Sequence, residues 1–290
     1  MAGIERFEGV HTGERVFIVA TGPSLRQTEL DLLADEVSVG VNRIDRIYSE
    51  TAWRPSYYVL LDSHVPANMP SLTRHLDEQI VSFVRRAPSV AEVEPAREQW
   101  LYRFDECETA GDVRESDASA DAADRWIADD VSRCIINHGN VITIAMQLVL
   151  YMGVDEVYFV GTDLYATRDL HMLSERGADP SRAGIRSVRN LRRAAEFVRS
   201  SAHPLHTGAN LIAYTVAYML GPWLGQSGHF SDEYQANRYF ARYKNTLLIE
   251  KHRRFRQVCE QRGIGVFNAS AGGDLEVYPR VDLVDVLEGV

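Results

Sequence analysis

Short apolar runs that end in turn or polar residues alternate with helical patterns along this chain, and this alternation constrains its fold more than any other feature. The first run covers residues 16–20, and Thr-Gly-Pro-Ser follows it at 21–24. A helical pattern comes next, for which Ser24 is a suitable N-cap. Continuously apolar runs are typical of strands buried on both faces of a parallel sheet. The alternation therefore predicts an α/β protein with a largely parallel sheet.

The same pattern recurs further along the chain. Predicted strands cover 36–42, 56–65, 80–86, 154–165 and 264–270, and predicted helices cover 71–80, 140–153 and 245–263. We therefore expect a Rossmann-like, mostly parallel sheet flanked by helices, with a smaller helical or lid part. Residues 105–133 are acidic and poor in apolar residues, which predicts an exposed insertion or a mobile loop. The predicted nucleotide-binding α/β domain consists of 1–165 and 228–290, and 166–227 form a helical insertion or lid.

Polar residues stand where the predicted strands end. In an open α/β sheet, ligands bind at the carboxyl ends of the strands, so side chains from several strand ends can meet in one crevice. The candidate ligand-binding residues chosen on this ground are Thr21, Gly22, Pro23, Ser24, Asn42, Asp62, Thr162, Asn268 and Ser270, and Asp163 and Tyr165 stand beside them as catalytic candidates.

The turn at 21–24 has two interpretations. Gly22 allows close approach of a ligand, and the N–H groups at the start of the following helix can hold phosphate oxygens. The turn matches neither GxGxxG nor GxxxxGK[ST], so neither the dinucleotide-binding fingerprint nor the P-loop applies. Taken alone, it is equally well an efficient corner between a buried strand and its helix.

Three blocks of sequence resemble known families. The blocks are "VFIVATGPSL" with the strand that ends in "VN", then "GVDEVYFVGTDLY", then the tail "GVFNASAGGDLEVYPRVD". They resemble the 6-hydroxymethylpterin diphosphokinase-like family found in surface-polysaccharide gene clusters. They also resemble bacterial sialyltransferases that use a cytidine monophosphate (CMP) sugar. The resemblance covers residues 14–65, 137–165 and 228–283, about half the chain.

The sialyltransferase resemblance implies roles for particular residues. Residues 21–24 match the loop that binds the nucleotide, with Thr21 where that loop usually has asparagine. Asn42 and Asp62 match donor contacts, and Tyr165 matches a tyrosine that binds the leaving phosphate. His138 stands where the family has arginine. His229, in "GHFSDEY", is the candidate for the catalytic histidine.

These residue types suit glycosyl transfer. The reaction needs a base at the acceptor hydroxyl and donors to the departing phosphate, and histidine and tyrosine supply them without a metal. The diphosphokinase-like family implies an alternative: Mg²⁺-dependent transfer of diphosphate from ATP, with Asp163 and Asp62 as metal ligands. A third alternative is a noncatalytic scaffold for polysaccharide assembly, with residues 205–228 as its contact.

Composition limits the other classes. A net charge of −10 argues against a nonspecific nucleic-acid binder. The expected partners are instead a nucleotide sugar, with a CMP-sugar favoured, and a glycan acceptor. The three cysteines are widely spaced, which favours reduced thiols without a disulfide or a zinc site. We find no signal peptide and no membrane-spanning run, so we expect a cytoplasmic protein. Peripheral association with the inner membrane face and homo-oligomerisation stay open.

Overall fold

The fold is taken from a computed structural model of the chain. The structure describes residues 3–63, 68–90, 93–107, 127–128, 130–164, 238–273 and 275–289, and for 238–247 it describes the backbone alone. The chain divides into two compact units, residues 1–163 with 249–290, and residues 164–248. Of the second unit only Leu164 and residues 238–248 are described, so the predicted boundary near 228 lies outside the described residues.

Seven strands and five α-helices are described. The strands are β1 (Arg15–Val19), β2 (Ser38–Val41), β3 (Tyr57–Leu60), β4 (Val81–Arg85), β5 (Leu101–Phe104), β6 (Glu156–Val160) and β7 (Gly265–Asn268). The helices are α1 (Met69–Asp77), α2 (Pro95–Glu98), α3 (Val141–Tyr151), α4 (Arg238–Arg262) and α5 (Leu283–Glu288). Short 3-10 turns at Ile4–Phe7, Pro23–Gln27, Leu30–Leu33, Ile44–Ile47 and Pro88–Val90 complete the described elements.

The seven described strands form one sheet in the order β5-β4-β3-β2-β1-β6-β7, and every described pair is parallel. This confirms the predicted α/β, Rossmann-like sheet. From β1 the chain builds outward through β2 to β5, and it then returns to place β6 and β7 on the other side of β1. The strand order therefore reverses between β1 and β6, and in open α/β sheets this is where ligands bind.

Helix α3 covers one face of the sheet. It packs against β1, β2 and β3, and its residues 141–150 are all buried. Its N-terminus is capped by the Asn140 side chain, which accepts from the Ile142 N–H at 2.7 Å. Gly153 follows the helix with a φ of +79°, so the predicted glycine stop is confirmed. The apolar composition of this segment reflects burial on most of its surface.

The helix predicted after Ser24 is wrong. Two 3-10 turns, Pro23–Gln27 and Leu30–Leu33, take its place. Gly22 occupies the N-cap position of the first turn and Pro23 begins it, so Ser24 lies inside the turn rather than at its cap. The Ser24 N–H and hydroxyl both donate to Asp163 instead. An acceptor distant in sequence thus replaced the local cap that the pattern indicated.

The cysteine prediction is also wrong, because Cys107 and Cys134 form a disulfide. The residues are 27 positions apart, and a short parallel pairing of Glu106 with Ile135 brings them together. Strand β5 leads directly into this pairing. It was not predicted, because its four residues lie between the predicted strand at 80–86 and the predicted acidic insertion at 105–133. Only Cys259 is a free thiol among the described residues, and burial raises its pKa to about 12.

Two histidines are buried in the described core. His75 donates from Nδ1 to the Ser71 carbonyl at 2.6 Å, and its Nε2 lies 2.8 Å from the Tyr48 hydroxyl. His252 lies with Nδ1 2.9 Å from the Tyr278 hydroxyl, which donates to the His252 carbonyl at 3.1 Å. Desolvation lowers the pKa of His75 to about 4 and that of His252 to about 3. Both side chains are therefore neutral in the folded protein at neutral pH.

These histidines predict acid sensitivity. The unfolded chain binds protons at them near pH 6.5, whereas the folded chain does so only near pH 4 and pH 3. The free energy of unfolding is thus fully retained above about pH 6.5 and falls as the pH drops below it, by about 1.4 kcal/mol per pH unit for each histidine. His252→Phe should reduce that slope by one histidine's share in urea unfolding at pH 6.0, 5.5 and 5.0. An unchanged slope would contradict the assignment.

No helix within the described residues has the length and apolar character needed to cross a bilayer.

Candidate functional site

The candidate site lies where β1 and β6 end side by side. The pairing of these strands continues past their last residues, because the Ala20 N–H donates to the Val160 carbonyl and the Gly22 N–H donates to the Gly161 carbonyl, both at 2.8 Å. Residues 20–24 and 161–163, distant in sequence, therefore form adjacent loops. The structure thus brings together the first turn and the "GTD" block that the sequence analysis selected.

Glycine is required where these loops touch. A Cβ on Gly22 would lie 2.4 Å from the Gly161 carbonyl oxygen and 2.7 Å from the Asp163 carboxylate. Gly161 has a φ of +65°, and a Cβ there would lie 2.8 Å from the Ala20 carbonyl oxygen. The glycine in the turn therefore serves contact between two loops of the protein itself, whether or not it also admits a ligand.

Asp163 joins the two loops through its side chain. One carboxylate oxygen accepts from the Ser24 N–H at 2.7 Å, and the other accepts from the Ser24 hydroxyl. Both side chains are buried, with Asp163 3% and Ser24 2% exposed. The carboxylate thus accepts the hydrogen bond of the Ser24 N–H, a group that the sequence analysis predicted could hold a phosphate oxygen. It serves as an acceptor for the turn at 23–27.

The end of β7 adds a third loop, residues 268–273. The Asn268 amide donates to the Leu275 carbonyl at 2.7 Å and accepts from the Ser270 N–H at 3.0 Å. The Ser270 hydroxyl accepts from the Thr162 N–H at 3.0 Å. Both side chains are buried and fasten loops to one another. Like Ser24, these two predicted ligand-binding residues have polar atoms committed to the protein.

Thr162 and Asn42 differ from them in this respect. The hydroxyl oxygen of Thr162 is buried and has no hydrogen-bond partner among the residues that the structure describes, and the side-chain oxygen of Asn42 is in the same state. Thr162 is only 3% exposed. Asn42 directly follows β2, which lies next to β1, and it has a left-handed φ of +51°. Buried polar atoms are nearly always paired, so both atoms require an explanation.

The remaining predicted residues are placed less centrally or are not described. Thr21 is buried in the first loop, Pro23 is half-buried, and Asp62 is exposed just past the end of β3. His138 is half-buried before α3. Tyr165 and His229, the proposed phosphate ligand and base, lie outside the described residues, so their roles stay predictions.

The sequence analysis missed Gly273 and Arg280. Gly273 has a φ of +88°, and a Cβ there would lie 2.1 Å from the Asp163 carbonyl oxygen and 2.2 Å from its Cα. Arg280 donates to the carbonyls of Ser270 at 2.9 Å and Gly273 at 3.0 Å. The paired glycines in "ASAGGD" are a sequence signal for close backbone approach. No sequence pattern predicted a role for Arg280.

A metal site was tested on the same residues. Within the described part of the chain, no group of three or more His, Cys, Asp or Glu side chains is arranged to hold a metal ion. Asp163, the first candidate ligand, directs both carboxylate oxygens to Ser24. In the described structure this carboxylate therefore acts as a hydrogen-bond acceptor for Ser24.

Comparisons with known proteins give few matches. No family model and no curated protein sequence matches this chain. Among solved structures, the chain is similar to that of MAf glycosyltransferase from Magnetospirillum magneticum AMB-1, at 14% sequence identity and a TM-score of 0.41. The match covers 96% of this chain and 37% of that one, so the chain spans little more than a third of its length.

Proposed function

We propose that the chain is a nucleotide-sugar-dependent glycosyltransferase of surface-glycan synthesis, with a CMP-sugar as the first candidate donor. The observation that carries the proposal is the Thr162 hydroxyl at the switch point between β1 and β6, which is buried and has no hydrogen-bond partner among the described residues. An unpaired buried hydroxyl costs about 1–3 kcal/mol, so its retention suits a group that is paired only when a ligand is bound. Asn42, the residue after β2, has a buried side-chain oxygen that also has no partner among the described residues, and because β2 lies beside β1 it supports the same location.

The commitment of Asp163 favours a transferase over the diphosphokinase alternative. Transfer of diphosphate from ATP requires Mg²⁺ on carboxylates. Asp163 holds Ser24 with both oxygens, and this contribution to the shape of the site supports a role other than metal binding. A monophosphate donor requires no metal, because hydrogen-bond donors can stabilise the leaving phosphate.

The proposed reaction follows from this choice. A base takes the proton from an acceptor hydroxyl, whose oxygen attacks the anomeric carbon of the donor sugar. The bond between that carbon and the phosphate oxygen breaks, and the nucleoside monophosphate leaves. By resemblance we assign the base to His229 and the stabilisation of the leaving phosphate to Tyr165. Thr162 and Asn42 then hold the nucleotide at the ends of β6 and β2.

The Thr162→Val variant tests the role of the hydroxyl directly. It removes one hydroxyl while retaining the branched shape, and the atom removed has no partner in the described structure. We expect the affinity for CMP, measured by calorimetry, to fall about five- to tenfold, which corresponds to one lost hydrogen bond. Stability to urea should stay the same or rise slightly.

Thr12→Val is the matched control. Thr12 precedes β1 and therefore lies at the opposite edge of the sheet, where its hydroxyl donates to the Gly9 carbonyl at 2.8 Å. This variant should bind CMP as the unmodified chain does. If Thr162→Val bound CMP as tightly as Thr12→Val, the hydroxyl would have no part in the site.

A further inference from the structure

Arg280 holds the third loop of the candidate site, residues 268–273, through hydrogen bonds to its backbone. Its guanidinium donates to three carbonyls of this loop, those of Ser270 at 2.9 Å, Gly272 at 3.4 Å and Gly273 at 3.0 Å. It also donates to the Glu276 carboxylate at 2.9 Å, which balances its charge at an exposed position. A planar guanidinium with five donors can serve several carbonyls at once, which a lysine ammonium cannot do in the same geometry.

The loop that Arg280 holds lies against the other two loops. Gly273 abuts the backbone of Asp163, and a Cβ on Gly272 would lie 3.3 Å from the Ser24 Cβ. The Ser270 hydroxyl accepts the Thr162 N–H at 3.0 Å. A chain of direct contacts therefore runs from Arg280 through Ser270 to Thr162, whose hydroxyl has no hydrogen-bond partner in the described part of the chain.

The tail that carries Arg280 is itself anchored. The Asn268 N–H donates to the Pro279 carbonyl at 2.9 Å, and the Val281 N–H donates to the Asn268 carbonyl at 3.0 Å. Tyr278 is buried against His252 and stacks on Phe159 of β6, with ring centroids 5.0 Å apart. The guanidinium therefore acts from a fixed position, and the loop at 270–273 is the part that depends on it.

We propose that Arg280 is a positioning residue of the site: it holds the loop at 270–273 so that Ser270 fixes Thr162 for contact with the nucleotide. This inference rests on the proposed function, because it concerns the same site. It adds a residue from the tail that neither the strand-end pattern nor the family resemblance selected. Arg280 acts through Ser270 and Thr162 rather than by touching the ligand.

A double-mutant cycle tests the inference. We expect Arg280→Met to weaken CMP binding about tenfold and Thr162→Val to weaken it about five- to tenfold. The double variant should be no weaker than Arg280→Met within about twofold, because the second change removes a contact already lost. Arg280→Lys should recover only part of the affinity, since lysine retains the positive charge but lacks the planar guanidinium that donates to several carbonyls at once.

Hydrogen exchange supplies a readout that does not depend on a ligand. Amide exchange in a peptide covering 268–273 should accelerate in Arg280→Met and not in the control Arg253→Met. Arg253 is a half-exposed residue of α4 whose side chain pairs with Glu250. Unchanged exchange in Arg280→Met would overturn the inference, and so would effects on CMP affinity that multiply in the double variant.

The experiments distinguish failure of the proposed function from failure of the inference about Arg280. If the unmodified chain binds no nucleotide, the proposed function is overturned and the link from Arg280 to a ligand falls with it. If the unmodified chain binds CMP and Arg280→Met binds it equally well, only the inference about Arg280 is overturned.

Discussion

Replacing Gly273 with alanine should destabilise the α/β unit by about 2–4 kcal/mol. About 1 kcal/mol comes from the backbone, because Gly273 has a φ of +88° that L-residues rarely adopt. The rest comes from overlap, since the new Cβ would lie 2.1–2.5 Å from the carbonyl oxygen, Cα and carbonyl carbon of Asp163. Asp163 cannot retreat freely, because Ser24 holds its carboxylate. Urea unfolding measures the loss.

Gly13→Ala separates the two contributions. Gly13 has nearly the same φ, +86°, but a Cβ there meets nothing within 4 Å. It should therefore cost only the backbone contribution of about 1 kcal/mol. Equal losses in the two variants would show that the loop at 270–273 does not press on Asp163, and the packing of three loops at the switch point would be wrong.

Removing the disulfide should have a comparable effect. The bond between Cys107 and Cys134 closes a loop of 27 residues in sequence separation. Loop-closure entropy for that length corresponds to about 3.5 kcal/mol at 25 °C. The double variant Cys107→Ser, Cys134→Ser should lose stability by about this amount in urea unfolding, and the midpoint should fall accordingly.

A reductant provides the matched comparison for the disulfide. Dithiothreitol should lower the urea midpoint of the unmodified chain towards that of the double serine variant and leave the variant itself unchanged. Cys259 is free and buried in both proteins, so it contributes equally. If the reductant left the unmodified chain unchanged, the two cysteines would not be joined in solution.

The sheet could be predicted from the sequence because its strands are buried on both faces. The four residues that follow Arg15 in β1 are buried and form a continuous apolar run, and the four residues of β2 are also all buried, with Ser38 the one polar residue among them. Strand β5 escaped prediction although it is as long as β7, the other edge strand. The charged Arg103, which pairs with Glu98 at 2.7 Å, interrupts its apolar residues at the third of four positions.

The edge of the sheet that carries the candidate site was predictable in outline, but the hydrogen bonds of its polar residues were not. The strand-end rule placed the loops at 21–24 and 161–163 at one edge, and β1 and β6 are indeed neighbours. It could not tell which polar atoms serve the protein. Ser24 and Asp163 bond across 139 positions, and Asn268 and Ser270 hold loops in place. Such pairings depend on three-dimensional contacts that no local pattern encodes.

The disulfide illustrates the same limit. Widely spaced cysteines predict free thiols by composition, yet the pairing of Glu106 with Ile135 sets Cys107 beside Cys134 with Cα atoms 5.0 Å apart. That proximity follows from β5 and from the segment that precedes α3, neither of which the pattern located. Arg280 is a similar case, since its three carbonyl acceptors come from a loop seven to ten residues earlier whose conformation the sequence does not specify.

Calorimetric titration of the full chain with CMP, UMP, GMP and ATP, each in EDTA and in Mg²⁺, tests the central claim most directly. The account predicts that a nucleoside monophosphate, with CMP first, binds in EDTA as well as in Mg²⁺ and binds more weakly to Thr162→Val than to Thr12→Val. Binding of ATP alone, and only with Mg²⁺, would contradict the transferase assignment in favour of the diphosphokinase alternative. Absence of binding by all four nucleotides in both conditions would contradict a nucleotide site at the ends of β1 and β6.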